Sequence, residues 1–332
     1  MNTENNLNTL LQIEFPVIMA PMFLVSNMEM MKAGIRSGIM ATFPSLNYRK
    51  DGELESVLDE LNEYCIGRKG SYGVNIIVQK SNPLTIKHTQ ICLDKKVPFF
   101  ITSLGNPKEV IEGAHKYGGK VFCDVTNIPH AKKCLESNCD GFIAVGQGAG
   151  GHAGPNPLQI LIPALKEHFP KIPVVAAGGI TNGSGLLSVQ VLGADGVSIG
   201  TRFIASTEAG VNNNYKEAIV SSGMDDIVMT TKLSGTPCAV INNDSAKKMG
   251  YTQNWFEKLL SNNSQTKKWF KMLVQIRGMK KLEKSILPNN YQSLWTAGKS
   301  SELIHDILPC ETIVTNIKNE YEASLNKLKT LV

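Results

Sequence analysis

The constraint that most narrows the folds open to this chain is a rhythm in its apolar residues. Short runs rich in β-branched and aromatic residues recur roughly every 20 to 30 positions through the first two-thirds of the sequence, each followed by a stretch of helical periodicity. The runs cover residues 17–20, 38–43, 72–78, 97–102, 120–125, 141–145, 173–177 and 196–199. Between them, residues 27–37, 83–95, 107–117, 128–136, 157–168 and 185–192 read as helices, several opening near a proline, whose missing N–H is harmless in a first helical turn. The runs are continuously apolar, as expected of parallel strands covered by crossover helices. Eight such units in about 200 residues match the count and length of an α/β TIM (β/α)8 barrel. A doubly wound open sheet shares the pattern and is the alternative.

After Thr201 the rhythm stops. Residues 207–279 read as mostly helical with an irregular middle at 232–243, residues 292–305 as loop, and residues 311–331 as a helix with Ile313, Ile317, Tyr321, Leu325 and Leu328 at helical spacing. The expected layout is a barrel made of residues 1–206 and 290–332, with a small, mostly helical, substrate-capping domain inserted at 207–289.

With 332 residues, 42% of them hydrophobic, the chain can bury a large core without disulfide or metal staples. Its net charge of +5 comes from 34 basic and 29 acidic residues that are largely interspersed, so neither nucleic acid nor a membrane is expected as a partner. The polar first residues lack the charged and apolar regions of a signal peptide, and no apolar run approaches the ~18 residues of a spanning helix. The seven cysteines form no CxxC pair and no Cys/His spacing suited to zinc, so no metal site is expected. Free thiols point to a reducing compartment, the cytoplasm.

In a barrel of this kind the ligand site is built by the loops after the strand C-termini. The first run leads into Pro21 and Met22, and the third contains Asn75, whose amide can offer a donor and an acceptor to the edge of a flat heterocycle. The sixth opens into Gly146-Gln-Gly-Ala-Gly-Gly-His152-Ala-Gly154, one imidazole among five glycines. Backbone without side chains lets a flat or phosphorylated ligand lie close, which makes His152 the first candidate for chemistry. The seventh run ends in Gly178-Gly179 and the eighth in Ser198-Ile199-Gly200-Thr201. Glycines at these two neighbouring positions suit a phosphate, held by backbone N–H groups and an adjacent helix N-terminus. No GxGxxG opens a first βαβ unit and no GxxxxGK[ST] is present, so the phosphate belongs to a bound flavin mononucleotide or to a sugar-phosphate substrate. His88, His115, His130, His168 and His305 have no partner at metal-ligand spacing.

Several ordered motifs resemble the nitronate monooxygenases, the family formerly called 2-nitropropane dioxygenases. They are Met19-Ala-Pro-Met22, Gly73-Val-Asn75, Gly150-Gly-His-Ala-Gly154, Pro173-Val-Val-Ala-Ala-Gly-Gly-Ile180, Leu192-Gly-Ala-Asp-Gly-Val-Ser-Ile-Gly-Thr-Arg-Phe203, Leu233-Ser-Gly-Thr-Pro237, Trp295-Thr-Ala-Gly298 and Leu303-Ile-His-Asp306. The resemblance covers nearly the whole chain. It implies an FMN-binding TIM barrel that oxidises alkyl nitronates or nitroalkanes with molecular oxygen to a carbonyl compound and nitrite. It also implies that Pro21, Met22, Asn75, Gly151, Gly178, Gly179, Ser198, Ile199, Gly200 and Thr201 contact FMN, with His152 as the catalytic histidine. The related flavin-dependent enoyl-acyl-carrier-protein reductases carry the same Gly-Gly-His run, so an NAD(P)H-dependent enoyl-thioester reductase is the alternative activity, and a flavin-binding protein without efficient catalysis the other. A homodimer is left open.

The chain departs from the family's Gln-Gly-x-Glu-Ala-Gly-Gly-His: Val145 stands at the Gln and Gly148 at the Glu. Where relatives carry a Lys at the end of the fifth strand, this chain has Asp124.

Overall fold

The computed structural model describes residues 7–79, 82–233, 236–252 and 294–330. Eight parallel strands close into a barrel: β1 (Val17–Met19), β2 (Met40–Pro44), β3 (Ser71–Ile77), β4 (Phe99–Ser103), β5 (Lys120–Val125), β6 (Gly141–Val145), β8 (Val174–Ala177) and β9 (Gly196–Ile199). β1 pairs with β2 on one side and with β9 on the other, which is the closure that separates a barrel from an open sheet. All eight expected runs are strands of this barrel, and the open-sheet alternative falls. The short strand β7 (Gly151–His152) lies outside it.

Side chains alternate along each strand, and this alternation sorts the chain into layers. Ile18, Met40, Phe99, Ile101, Phe122, Ile143 and Val175 fill the barrel interior, and Leu7 and Leu11 of the first helix pack against the same cluster. Phe99 and Phe122 meet edge to face with centroids 5.3 Å apart. The outward positions, such as Val74, Phe100, Val121 and Phe142, pack against the surrounding helices. Asn27, Asn127 and Asn182 each accept a backbone N–H at the start of the helix that follows, so the sequence supplies its own caps on the helices after β1, β5 and β8.

The segment after the barrel differs from expectation in its middle. Helices Asn213–Ser221 and Asp244–Met249 bracket β10 (Ile227–Thr230) and β11 (Cys238–Ile241), which pair antiparallel. β11 falls in the stretch read as irregular, and it also pairs with β7, bringing Cys238 opposite His152. Residues 253–289 lie outside the described residues. The final helix runs Cys310–Lys329 and packs against the helix Gly183–Val191. Among the described residues no helix is long and apolar enough to cross a membrane.

Phe122→Ala tests the interior packing. The ring is fully buried and presses on Phe99 and Gly141, so its loss should lower stability in urea or guanidinium unfolding by roughly 3–5 kcal/mol. A loss near zero would contradict the barrel interior described here.

Candidate active site

Inward-facing residues near the C-terminal ends of successive strands form the floor of a cavity at that end of the barrel. Asn75 (β3), Ser103 (β4), Asp124 (β5), Val145 (β6), Ala177 (β8) and Ser198 (β9) all line it, and its volume is about 620 Å³. Pro21 and Met22 close one side, while Gly148–His152, Gly178, Gly179, Gly200 and Thr201 line another. The sequence-derived site residues therefore converge on one cavity, with one exception. Ile199 is buried among Val197, Phe203 and Ile204 in the layer between barrel and helices. The four-residue motif Ser198–Thr201 suggested a continuous contact, but strand alternation turns Ser198 inward and Ile199 away.

The floor carries a directional chain of hydrogen bonds. Asn75 Nδ2 donates to the Ile101 carbonyl at 3.1 Å and to Ser103 Oγ at 2.8 Å, and Ser103 Oγ donates to Asp124 Oδ2 at 2.5 Å. The Ile101 oxygen can only accept, which fixes the orientation of the Asn75 amide. Both Asn75 donors are thus held by the protein, leaving its oxygen as the group it can present to a ligand. The sequence reading had credited Asn75 with both. Burial raises the Asp124 carboxyl to about 6, against the lowering effect of the Ser103 bond.

His152 is held differently. β7 is only two residues long, yet its pairing with β11 fixes the imidazole at the lip of the cavity. The side chain is exposed at this lip, and the partial burial of the ring against the cavity wall lowers its pKa from the ordinary 6.5, which favours the neutral imidazole.

The glycine-rich end consists of backbone laid on backbone. Gly178 and Gly179 have φ of +110° and +81°, a region that favours glycine. A Cβ on Gly178 would lie 2.6 Å from the Ala149 nitrogen, and one on Gly148 would lie 3.1 Å from the Gly179 backbone. The loop after β6 thus rests on the turn after β8. The glutamate that the resemblance leads one to expect at 148 has no room without a shift of that turn.

Two anchors tie the distant C-terminal motifs to this end. Thr201 Oγ1 accepts from the Gly298 N–H at 3.1 Å, and Arg202 pairs with Asp306 at 2.8 Å. The N-terminus of the helix Gly183–Val191 is already engaged, because Gly183 N donates to Glu320 and Gly185 N to Asn182. A phosphate here would depend on the Gly178–Gly179 turn, Gly200 and the hydroxyls of Ser198 and Thr201, rather than on that helix end.

These residues fit FMN. The volume lies in the range of cofactor sites, the side-chain-free cradle suits a phosphate, and an acceptor stands on the floor for a ring N–H. Sequence reasoning did not find Ser103, or the contribution of Leu233, Thr236, Pro237 and Cys238 to the cavity wall. Ser103 carries no motif, and the wall residues arrive through a pairing between segments far apart in sequence.

A model of the family described as nitronate monooxygenase matches residues 43–320. The chain belongs to that family. Its members are FMN-dependent flavin oxidoreductases, and FMN is the cofactor of this enzyme. The chain is 26% identical to a probable nitronate monooxygenase of Staphylococcus aureus, over 96% of this chain and 98% of that one. It is 27% identical, over 75% of this chain and 69% of the other, to (3aS,4S,5R,7aS)-5-hydroxy-7a-methyl-1-oxo-octahydro-1H-indene-4-carboxyl-CoA dehydrogenase of Mycobacterium tuberculosis. FabK from Thermotoga maritima superposes over the full length of both chains with a TM-score of 0.84 at 27% identity.

Gly178→Ala tests the cradle. The substitution forces a side chain into the Ala149 backbone at a left-handed φ, so the purified protein should retain its far-UV circular dichroism and bind FMN at least roughly 10-fold more weakly, a loss of about 1.4 kcal/mol. Unchanged FMN affinity would show that the turn does not hold the cofactor.

Proposed function

We propose that the enzyme oxidises alkyl nitronates, or the nitroalkanes from which they form, with molecular oxygen to a carbonyl compound and nitrite. The observation that carries this reading is the imidazole of His152, placed by β7 at the edge of a cavity whose glycine-rich end suits a cofactor phosphate. A neutral imidazole can take the proton from the carbon bearing the nitro group, the step that turns a nitroalkane into a nitronate. Val145, Ala177 and Ile143 make the floor on which the flavin would lie largely apolar. Bound FMN supplies the redox chemistry, and the chain supplies binding, orientation and proton handling. Pro21, Met22, Asn75, Gly151, Gly178, Gly179, Ser198, Gly200 and Thr201 are its proposed contacts. Residues 207–289 act as the cap on the substrate side, a reading supported by Leu233, Pro237 and Cys238 in the cavity wall.

A second activity is favoured by a separate observation. Phe23, Leu46, Leu104 and Leu233 give the cavity an apolar wall suited to an acyl chain, and the M. tuberculosis relative is named for a carboxyl-CoA compound. An NAD(P)H-dependent enoyl-thioester reductase would have its flavin bleached rapidly on anaerobic mixing with NADH or NADPH, and a nitronate-oxidising enzyme would not. Stoichiometric FMN with turnover of neither substrate would identify a flavin-binding protein without efficient catalysis, the outcome for which Val145 and Gly148 in place of the family residues argue.

His152→Asn should leave FMN-loaded protein in which turnover of a neutral nitroalkane falls by roughly 100-fold or more, with a smaller loss for preformed nitronate. Because burial lowers the His152 pKa, the base is lost only as pH falls below 6.5. kcat/KM for a nitroalkane should therefore hold constant around pH 7 and decline below 6.5 in the native enzyme. Equal turnover by His152→Asn would remove the residue from the mechanism.

A further inference from the structure

Asp124 stands in the cavity floor, between Ser103 on β4 and Val145 on β6. Its surroundings decide what form it takes. One carboxylate oxygen, Oδ2, accepts the Ser103 hydroxyl at 2.5 Å. Ser103 Oγ also accepts from Asn75 Nδ2, so its single proton is free to point at the carboxylate. The other oxygen is left to face the cavity.

The groups packed around Asp124 offer its charge little support. From β6 come Ile143 and Val145, and from β4 Ile101 beside Ser103. From the helix Ile128–Leu135 comes His130, which hydrogen-bonds the Cys134 thiol. The titratable side chains lining the cavity are Asp124, His130, His152 and Cys238, so among the described residues no lysine or arginine lines it. The one ammonium on β5, Lys120, is at the opposite end of the strand and pairs with Asp140. Burial alone holds the Asp124 carboxyl at about 6 while its outer face is still wet. A flat ligand laid over the floor removes that water, and desolvation favours the uncharged form further.

The hydrogen-bond pattern of the floor points the same way. One edge of a flavin ring alternates acceptors and donors. Asn75 has only its oxygen to offer a ring N–H, and the Ser103 hydroxyl beside it is turned to Asp124, so within this polar arc Asp124 is the group left to meet a ring acceptor. A carboxylate cannot donate, but a carboxylic acid can.

We propose that Asp124 meets the bound flavin as a carboxylic acid, so that FMN binding draws about one proton from solution onto Asp124. The inference rests on FMN occupying this cavity. Its sign follows directly: the bound form holds a proton that the free form loses above its own titration, so FMN affinity falls as pH rises through neutrality. The fall reaches at most roughly 10-fold per pH unit for one proton.

The test uses the full chain stripped of flavin and titrated with FMN, following flavin fluorescence for affinity and calorimetry in two buffers of different ionisation heat for proton uptake. The native protein should take up about one proton per FMN near pH 7 more than Asp124→Asn does. From pH 6.5 to 7.5 the native affinity should weaken roughly 3- to 10-fold relative to that variant. The FMN phosphate also titrates near pH 6, but equally in both proteins, so the difference isolates Asp124. Ser103→Ala gives an independent arm. Loss of the hydroxyl that lowers the Asp124 pKa should move the pH at which affinity begins to fall upward from that of the native protein. Equal proton uptake by native protein and Asp124→Asn, or a Ser103→Ala profile superimposable on the native one, overturns the proposal and leaves the FMN site standing. Failure of the native chain to bind FMN at all overturns both.

Discussion

The site depends on a contact made entirely of backbone. The loop after β6 lies on the turn after β8, Gly148 against Gly178 and Gly179, while Gly298 closes over the same loop so tightly that a Cβ on it would stand 2.6 Å from the Gly148 carbonyl. Three segments far apart in sequence are thereby held at main-chain distance, with no side chain between them. That packing shapes the glycine-lined end of the cavity and fixes where the His152 loop leaves the barrel. It also bears on one departure from the family: a glutamate at 148 would require the turn at Gly179 to give by a few tenths of an ångström.

The rest of the cavity follows from strand alternation. Strands β3 to β6, β8 and β9 contribute inward residues near their C-terminal ends to the floor, and the identity of those residues sets the local electrostatics. Asn75, Ser103 and Asp124 form a polar arc linked by hydrogen bonds, whereas Val145 and Ala177 make the remainder apolar. Two titratable groups are pushed in opposite directions by the same cause. Burial lowers the His152 pKa and raises that of Asp124, so each is shifted from its ordinary value in the direction of its uncharged form.

The barrel was legible because each strand and helix is encoded locally, by apolar runs, prolines and capping asparagines. The glycine clusters were legible because side-chain-free backbone at two adjacent strand ends has few other uses. β10 and β11 were not, since a four-residue strand such as Cys238–Ile241 gives little periodic signal and its pairing with Gly151–His152 is a non-local event. Ile199 sits in a motif whose other members line the cavity, and strand alternation turns its side chain to the helices instead. The commitment of both Asn75 donors could not be read from sequence, because their acceptors, Ile101 and Ser103, belong to the next strand and become neighbours only in the sheet.

The central claim is that this barrel is built around FMN. The most direct measurement is the visible spectrum of the purified full-length protein, before and after incubation with FMN and removal of the excess. The account predicts a yellow protein carrying one FMN per chain, released intact on denaturation. A colourless protein that cannot be reconstituted would contradict it.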